Sequence, residues 1–126
     1  MADLTNKSLQ ASVARLEKKI TRNADYIAAD AKAIDEEARD ATRVAGQIAA
    51  KGVDRYTVAE THEFAKITLG FSGSVMAYAS SGYDTAKSAK AAGDQARASH
   101  DGIQQAVDRS TVDTIHNVHA DWFEQQ

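Results

Sequence analysis

Neither cysteine nor proline occurs anywhere in the 126 residues. The first absence excludes disulfides, thiol nucleophiles and every cysteine-based metal motif. The second removes the residue that most strongly interrupts a helix, so very long helices are allowed. Bulky apolar residues are also scarce: Leu, Ile, Val and Phe together number 22, below the ~20% level at which disorder is suspected. That suspicion also needs a high net charge, and the net charge here is −3. The same near-neutral balance gives no electrostatic ground for a nucleic-acid partner. The first ten residues carry no apolar run, so no secretory leader and a cytoplasmic location are expected.

Alanine fills the gap, with 25 residues. It is the best helix former and buries little area. The chain therefore reads as one all-α domain of long helices joined along thin, closely packed seams. It does not read as a globule with a thick core.

The clearest pattern lies between Ile27 and Ile48. Apolar residues fall at Ile27, Ala31, Ile34, Ala38, Ala41, Ala45 and Ile48, alternating steps of four and three. That is a heptad seam on one helical face. Ala24, Ala31, Ala38 and Ala45 recur at a strict interval of seven. Upstream, Leu9, Val13, Leu16 and Ile20 start the seam, which then slips by one residue to reach Ala24. The expected helix runs from about 8 to 51, with Ser8 as its cap. At ~1.5 Å per residue it would be roughly 66 Å long, so an elongated molecule is expected. Gly52 stands where a left-handed C′ residue belongs, with Val53 as its hydrophobic companion. Arg15, Lys18, Lys19 and Arg22 make a basic turn, and Asp30, Asp35, Glu36, Glu37 and Asp40 an acidic one. They fit a solvated face with pairs such as Asp35–Arg39 and Lys32–Glu36, and also an antiparallel helix setting acidic turns against basic ones.

The turn is expected over 52–56. Thr57-Val-Ala-Glu60 has the pattern of a capping box, which starts a second helix over about 57–100. So short a loop favours antiparallel neighbours. This helix carries its own line of small residues at intervals of seven: Ala65, Ser72, Ala79, Ala86 and Gly93. Small residues facing small residues predict two helices closer than the usual ~8–10 Å. The expected pairing sets Ala31, Ala38 and Ala45 against Ala86, Ala79 and Ser72 in antiparallel order. From Ile67 to Tyr83 there is no charged residue, yet the stretch is too short and too rich in serine and glycine to span a membrane. It carries two apolar stripes. One is Ala65, Leu69, Ser72, Met76, Ala79 and Tyr83, which the first helix can cover. The other is Phe64, Ile67, Phe71, Val75 and Tyr78, which needs a third helix or another subunit. Gly70-Phe-Ser-Gly73 is read as a close-packing point with a kink nearby. Gly102 is read as a break before a third helix over about 103–124, separate from the second or continuous with it. Near its end Trp122 and Phe123 either plug the bundle or form a recognition peptide.

Chemistry is thinly represented. His116 and His119 share a helical face with Asp113, but the bundle metal pattern needs glutamates from facing helices as well. His62 and His100 have no such partners in the sequence. No phosphate loop, no Gly-x-Ser-x-Gly elbow and no His-Glu-x-x-His is present. No enzyme and no cofactor are expected. The Gly52-Val-Asp-Arg-Tyr-Thr-Val-Ala-Glu-Thr61 turn with its alanine-rich flanks resembles small uncharacterised helical proteins of actinobacterial conjugative elements. This likeness covers residues 40–126 and implies a bacterial protein accessory to DNA transfer. The Ala/Ser/Gly heptads also resemble the cytoplasmic hairpins of bacterial chemoreceptors, without their signalling-tip motif.

The expected fold is an antiparallel alanine-rich coiled-coil hairpin with a shorter third helix, assembled into an oligomeric bundle. The expected function is a non-enzymatic interaction or scaffolding module whose partner is itself, as a homodimer or higher, or another protein. No nucleic acid and no membrane span are expected. The alternatives are a small-ligand or metal-binding bundle and a subunit of a secretion or conjugation apparatus.

Overall fold

A computed structural model describes residues 5–112. Among them the secondary structure is two helices: α1, Asn6–Ala50, and α2, Arg55–Asp108. They pack against one another as a helical hairpin.

The helix ends follow local chemistry. Thr5 and Ser8 cap α1 reciprocally: each backbone N–H donates to the other's hydroxyl at 3.0 Å. The cap is therefore Thr5 rather than Ser8, and Ser8 plays the part a glutamate has in a capping box. At the other end Gly52 adopts φ 77°. The Gly52 N–H reaches the Ala49 carbonyl and the Val53 N–H reaches the Ile48 carbonyl, both at 3.1 Å. These are the two bonds of a Schellman motif, available because glycine enters the left-handed region freely. The α2 cap differs from expectation. Asp54, not Thr57, is the N-cap: its carboxylate accepts the Thr57 N–H at 2.9 Å and the Thr57 hydroxyl at 2.6 Å. These bonds hold the Asp54 carboxyl below its ordinary range, the Thr57 hydroxyl first. The helix thus starts at Arg55.

Gly102 does not break α2, which continues to Asp108. One glycine costs a helix about 1 kcal/mol, and the good formers around it absorb that. Residues 103–108, expected to open a third helix, are the last turns of α2. The rest of that expected helix lies outside the described residues.

The chain divides into two units, Thr21–Tyr83 and Met1–Ile20 with Asp84–Gln126. In the first, the turn unit, the core is a row of the smallest side chains. Ala24, Ala31, Ala38, Ala45, Ala65, Ser72 and Ala79 are buried. Ile27, Ile34, Ala41 and Ile48 of α1, and Thr61, Thr68, Val75 and Gly82 of α2, flank them half-buried. The Ser72 hydroxyl donates to the Ala31 carbonyl at 2.7 Å, a bond that requires the two backbones to come close. A Cβ on Gly82 would stand 3.1 Å from the Ala24 methyl.

Those contacts correct the pairing. Ala31 meets Ser72, not Ala86, and Ala24 meets Gly82, so the helices are displaced by two heptads from the expected register. Ala38 and Ala65 line one shallow groove together. The close approach is at Gly82. Around Gly70 and Gly73 an added Cβ meets nothing within 4 Å, so neither is a close-packing point, and α2 runs through both.

In the terminal unit Gln10, Val13, Glu17 and Ile20 of α1 are half-buried, while Leu9 and Leu16 are exposed. The alternation of three and four therefore continues, and the expected slip does not occur. Ala86 and Val107 are buried on α2. A Cβ on Gly93 would lie 3.1 Å from Val13 Cγ1, and the Arg97 Nε donates to Gln10 Oε1 at 3.2 Å.

Two outcomes test this packing. Ala38→Leu forces a large side chain into the small-residue row and should cost about 1–3 kcal/mol. Ala29→Leu, at an exposed position of the same helix, should be near neutral in the same thermal melts. A raised melting temperature for Ala38→Leu would show spare room in the seam. Gly70→Ala gains helix propensity in open space and should stabilise by about 0.5–1 kcal/mol. Gly82→Ala should gain less, because its methyl would stand 3.1 Å from the Ala24 methyl and the helices would have to part by a few tenths of an ångström.

Candidate interaction surface

The sequence between Ile67 and Tyr83 is helical although it contains Gly70, Gly73, Gly82 and four serines. Ser74 and Ser81 return their hydroxyls to carbonyls four residues back, at 3.3 and 3.2 Å, so these side chains satisfy themselves along the helix. With charge absent and these two hydroxyls bonded back to the helix, the large apolar side chains dominate what this part of α2 presents.

The expected interface stripe divides in two. Phe64, Ile67, Phe71 and Tyr78 are exposed, at 61, 64, 58 and 68%. Val75, expected beside them, is half-buried because it falls on the flank of the seam with α1. It joins the stripe to the core. Helical periodicity places the five on one face, immediately beside the small-residue line that α1 occupies. Of the expected packing residues, Ala31, Ala38, Ala45, Ala65, Ser72, Ala79 and Ala86 are all buried. Trp122 and Phe123 lie outside the described residues.

The second stripe also departs from expectation. Its small members Ala65, Ser72 and Ala79 are covered, but Leu69, Met76 and Tyr83 remain exposed. A groove between alanine lines is too narrow to take large side chains, so they lie along its edge. There Leu69 and Met76 form one wall of an open groove of about 570 Å³, whose lining also includes Gly73 of α2 and Ala28, Lys32 and Asp35 of α1. The sequence gives little sign of this groove, because it depends on which α1 residues stand opposite. Further along α2 the Tyr83 hydroxyl donates to Asp25 Oδ1 at 2.6 Å. That bond raises the Tyr83 pKa above its ordinary value. The hydrogen bond contributes most, then desolvation, then the charge of Asp25.

The outer face of α1 in this unit is charged. Arg39 pairs with Asp35 at 2.7 Å and Arg43 with Asp40 at 3.0 Å. The first of these was legible in the sequence. Such exposed pairs contribute little to stability. The apolar character of the unit's surface is thus concentrated on α2.

His62 lines a shallow groove with Ala38, Thr42 and Leu69, and His100 is half-buried in the terminal unit. His116 and His119 lie outside the described residues. Among the described residues, no group of three His, Asp or Glu side chains is placed to hold a metal ion. No helix among them is long and apolar enough to cross a membrane. Comparison with protein-family models, with curated proteins and with solved structures finds no match for this chain.

The raised Tyr83 pKa has a measurable consequence. A raised pKa favours the protonated phenol in the folded chain, so its contribution is present below pH ~10 and is lost as pH rises through the folded value. Asp25→Ala should return the Tyr83 titration, followed by ring-carbon NMR, towards the ordinary phenol value. An unchanged Tyr83 midpoint would show that the bond to Asp25 is not formed in solution.

Proposed function

We propose that this hairpin is a non-enzymatic interaction module that works as a homo-oligomer, with the Phe64–Tyr78 face of α2 as its interface. The observation that carries the reading is the exposure of Phe64, Ile67, Phe71 and Tyr78 together on one face, next to a stretch without charge. At roughly 150–250 Å² for each large aromatic side chain, the four expose on the order of 400–600 Å². That lies within the ~300–600 Å² range of the largest apolar patch on a typical monomer, a patch that is often functional. The alanine lines supply the frame. In this reading they form a close-packed antiparallel coiled coil that holds the turn unit's part of α2 rigid, so that its outer face is presented ready for association. Rigid presentation lowers the ordering cost of association.

The test is the solution mass, by light scattering with small-angle X-ray scattering at tens of micromolar. The wild-type chain should give at least twice its 13.5 kDa mass. The double variant Ile67→Asp/Phe71→Asp should give the monomer mass with its helical circular dichroism retained. A strictly monomeric wild-type chain would overturn the proposal.

A further inference from the structure

The apolar face of α2 has a symmetry of its own. Its members, Phe64, Ile67, Phe71, Val75 and Tyr78, are placed evenly about Phe71: Phe64 and Tyr78 lie seven residues away on either side, and Ile67 and Val75 lie four. On a regular helix such a set is symmetric in angle as well as in height, so Phe71 marks the centre of the face in both senses. A surface of this kind is complementary to itself when a second copy is turned end over end. We infer that the face binds a second copy of this chain through an antiparallel α2–α2 contact whose two-fold axis passes at Phe71. The inference rests on the interaction-module reading above and specifies its partner and register.

In that register Phe71 meets Phe71 of the second copy. Phe64 meets the second copy's Tyr78, and Ile67 meets its Val75. Aromatic lies against aromatic at the centre and both ends, and branched aliphatic against branched aliphatic between them. A two-fold contact of this type is isologous, the commonest way for identical chains to associate.

Charge decides against the parallel alternative. Continuing the face towards the start of α2 reaches Glu60, and the position mirrored through Phe71 is Gly82. The antiparallel register keeps the two copies of Glu60 roughly 33 Å apart along the helices, while Gly82 stays packed against Ala24 of α1. A parallel pairing would set Glu60 against Glu60 of the second copy, and like charges directly opposed are destabilising.

The area is sufficient. The four exposed side chains offer about 400–600 Å² per copy, or roughly 1,000 Å² over the pair before any contribution from neighbouring residues. A specific interface needs to clear about 1,000 Å².

Because the chain has no cysteine, single cysteine substitutions in the full-length protein read the register directly. Helix axes ~8–10 Å apart with radii of ~2.3 Å bring backbones on the symmetry axis to roughly 3.4–5.4 Å, overlapping the ~4.4–6.8 Å range of a disulfide. Phe71→Cys should therefore form a reducible dimer under mild copper-phenanthroline oxidation. Phe64→Cys alone should not, since its two copies would be roughly 21 Å apart along the helices. Phe64→Cys mixed with Tyr78→Cys should cross-link, and mass spectrometry should find a peptide joining positions 64 and 78. Ile67→Cys mixed with Val75→Cys gives an independent pair that leaves Phe71 in place, should the central variant not fold. Equal self-cross-linking of Phe64→Cys and Phe71→Cys would mean a parallel contact and would overturn the inference. So would a dimeric wild-type mass with none of these cross-links, which leaves the interaction module standing on a different surface or register. A wild-type monomer whose Phe71→Cys variant is alkylated only slowly would mean that another segment of the same chain, such as 113–126, occupies the face. That result would overturn both readings.

Discussion

The close approach of two helical backbones is the constraint on which the turn unit depends. A hydroxyl of α2 reaches a main-chain carbonyl of α1 at Ser72–Ala31, and the Gly82 backbone stands against the Ala24 methyl. Neither contact survives a larger side chain between the helices. The fully buried line of the seam is therefore Ala and Ser, with larger side chains only half-buried beside it, and a seam of that kind excludes water from little apolar surface. Stability must come from many small contacts, good helix propensity and well-capped ends. The Thr5–Ser8 box, the Schellman turn at Gly52 and the Asp54 cap supply the last of these.

A thin seam has a second consequence. The large apolar residues of α2 cannot enter it, and they collect on its two flanks: Phe64, Ile67, Phe71 and Tyr78 on one side, Leu69, Met76 and Tyr83 on the other. On α1 the side turned away from the seam carries charged residues, including the pairs Asp35–Arg39 and Asp40–Arg43. The two helices thus divide the labour, one providing a solvated back and the other an apolar front. The proposed interface follows from this division, because the geometry that fixes the hairpin also prevents it from hiding those side chains.

Much of this was legible in the residues. The interval of seven in Ala24, Ala31, Ala38 and Ala45 names the buried line of α1, and Ala65, Ser72, Ala79 and Ala86 name that of α2. Gly52 followed by Val53 is enough to place the end of α1, since few residues tolerate the left-handed conformation that closes a helix. The exposed stripe could be listed too, because a helix with apolar residues over a wide arc cannot cover them all with one neighbour. Asp54 was missed in favour of Thr57 because both begin a plausible capping pattern, and only the backbone conformation tells which residue stands outside the helix.

What the sequence by itself determined is therefore periodic and local: two helices, their faces, and the turn between them. Register was left to the tertiary structure, because a pattern that repeats every seven residues looks the same after a shift of seven or fourteen. The four-residue connection between Ala50 and Arg55 removes that freedom, since residues equidistant from it must meet, and so Ala31 finds Ser72 rather than Ala86. Register in turn decides that Gly82 is the glycine pressed against Ala24 and which residues of α1 complete the groove beside Met76. These are pairings across the hairpin, and no single helix carries them in its own sequence.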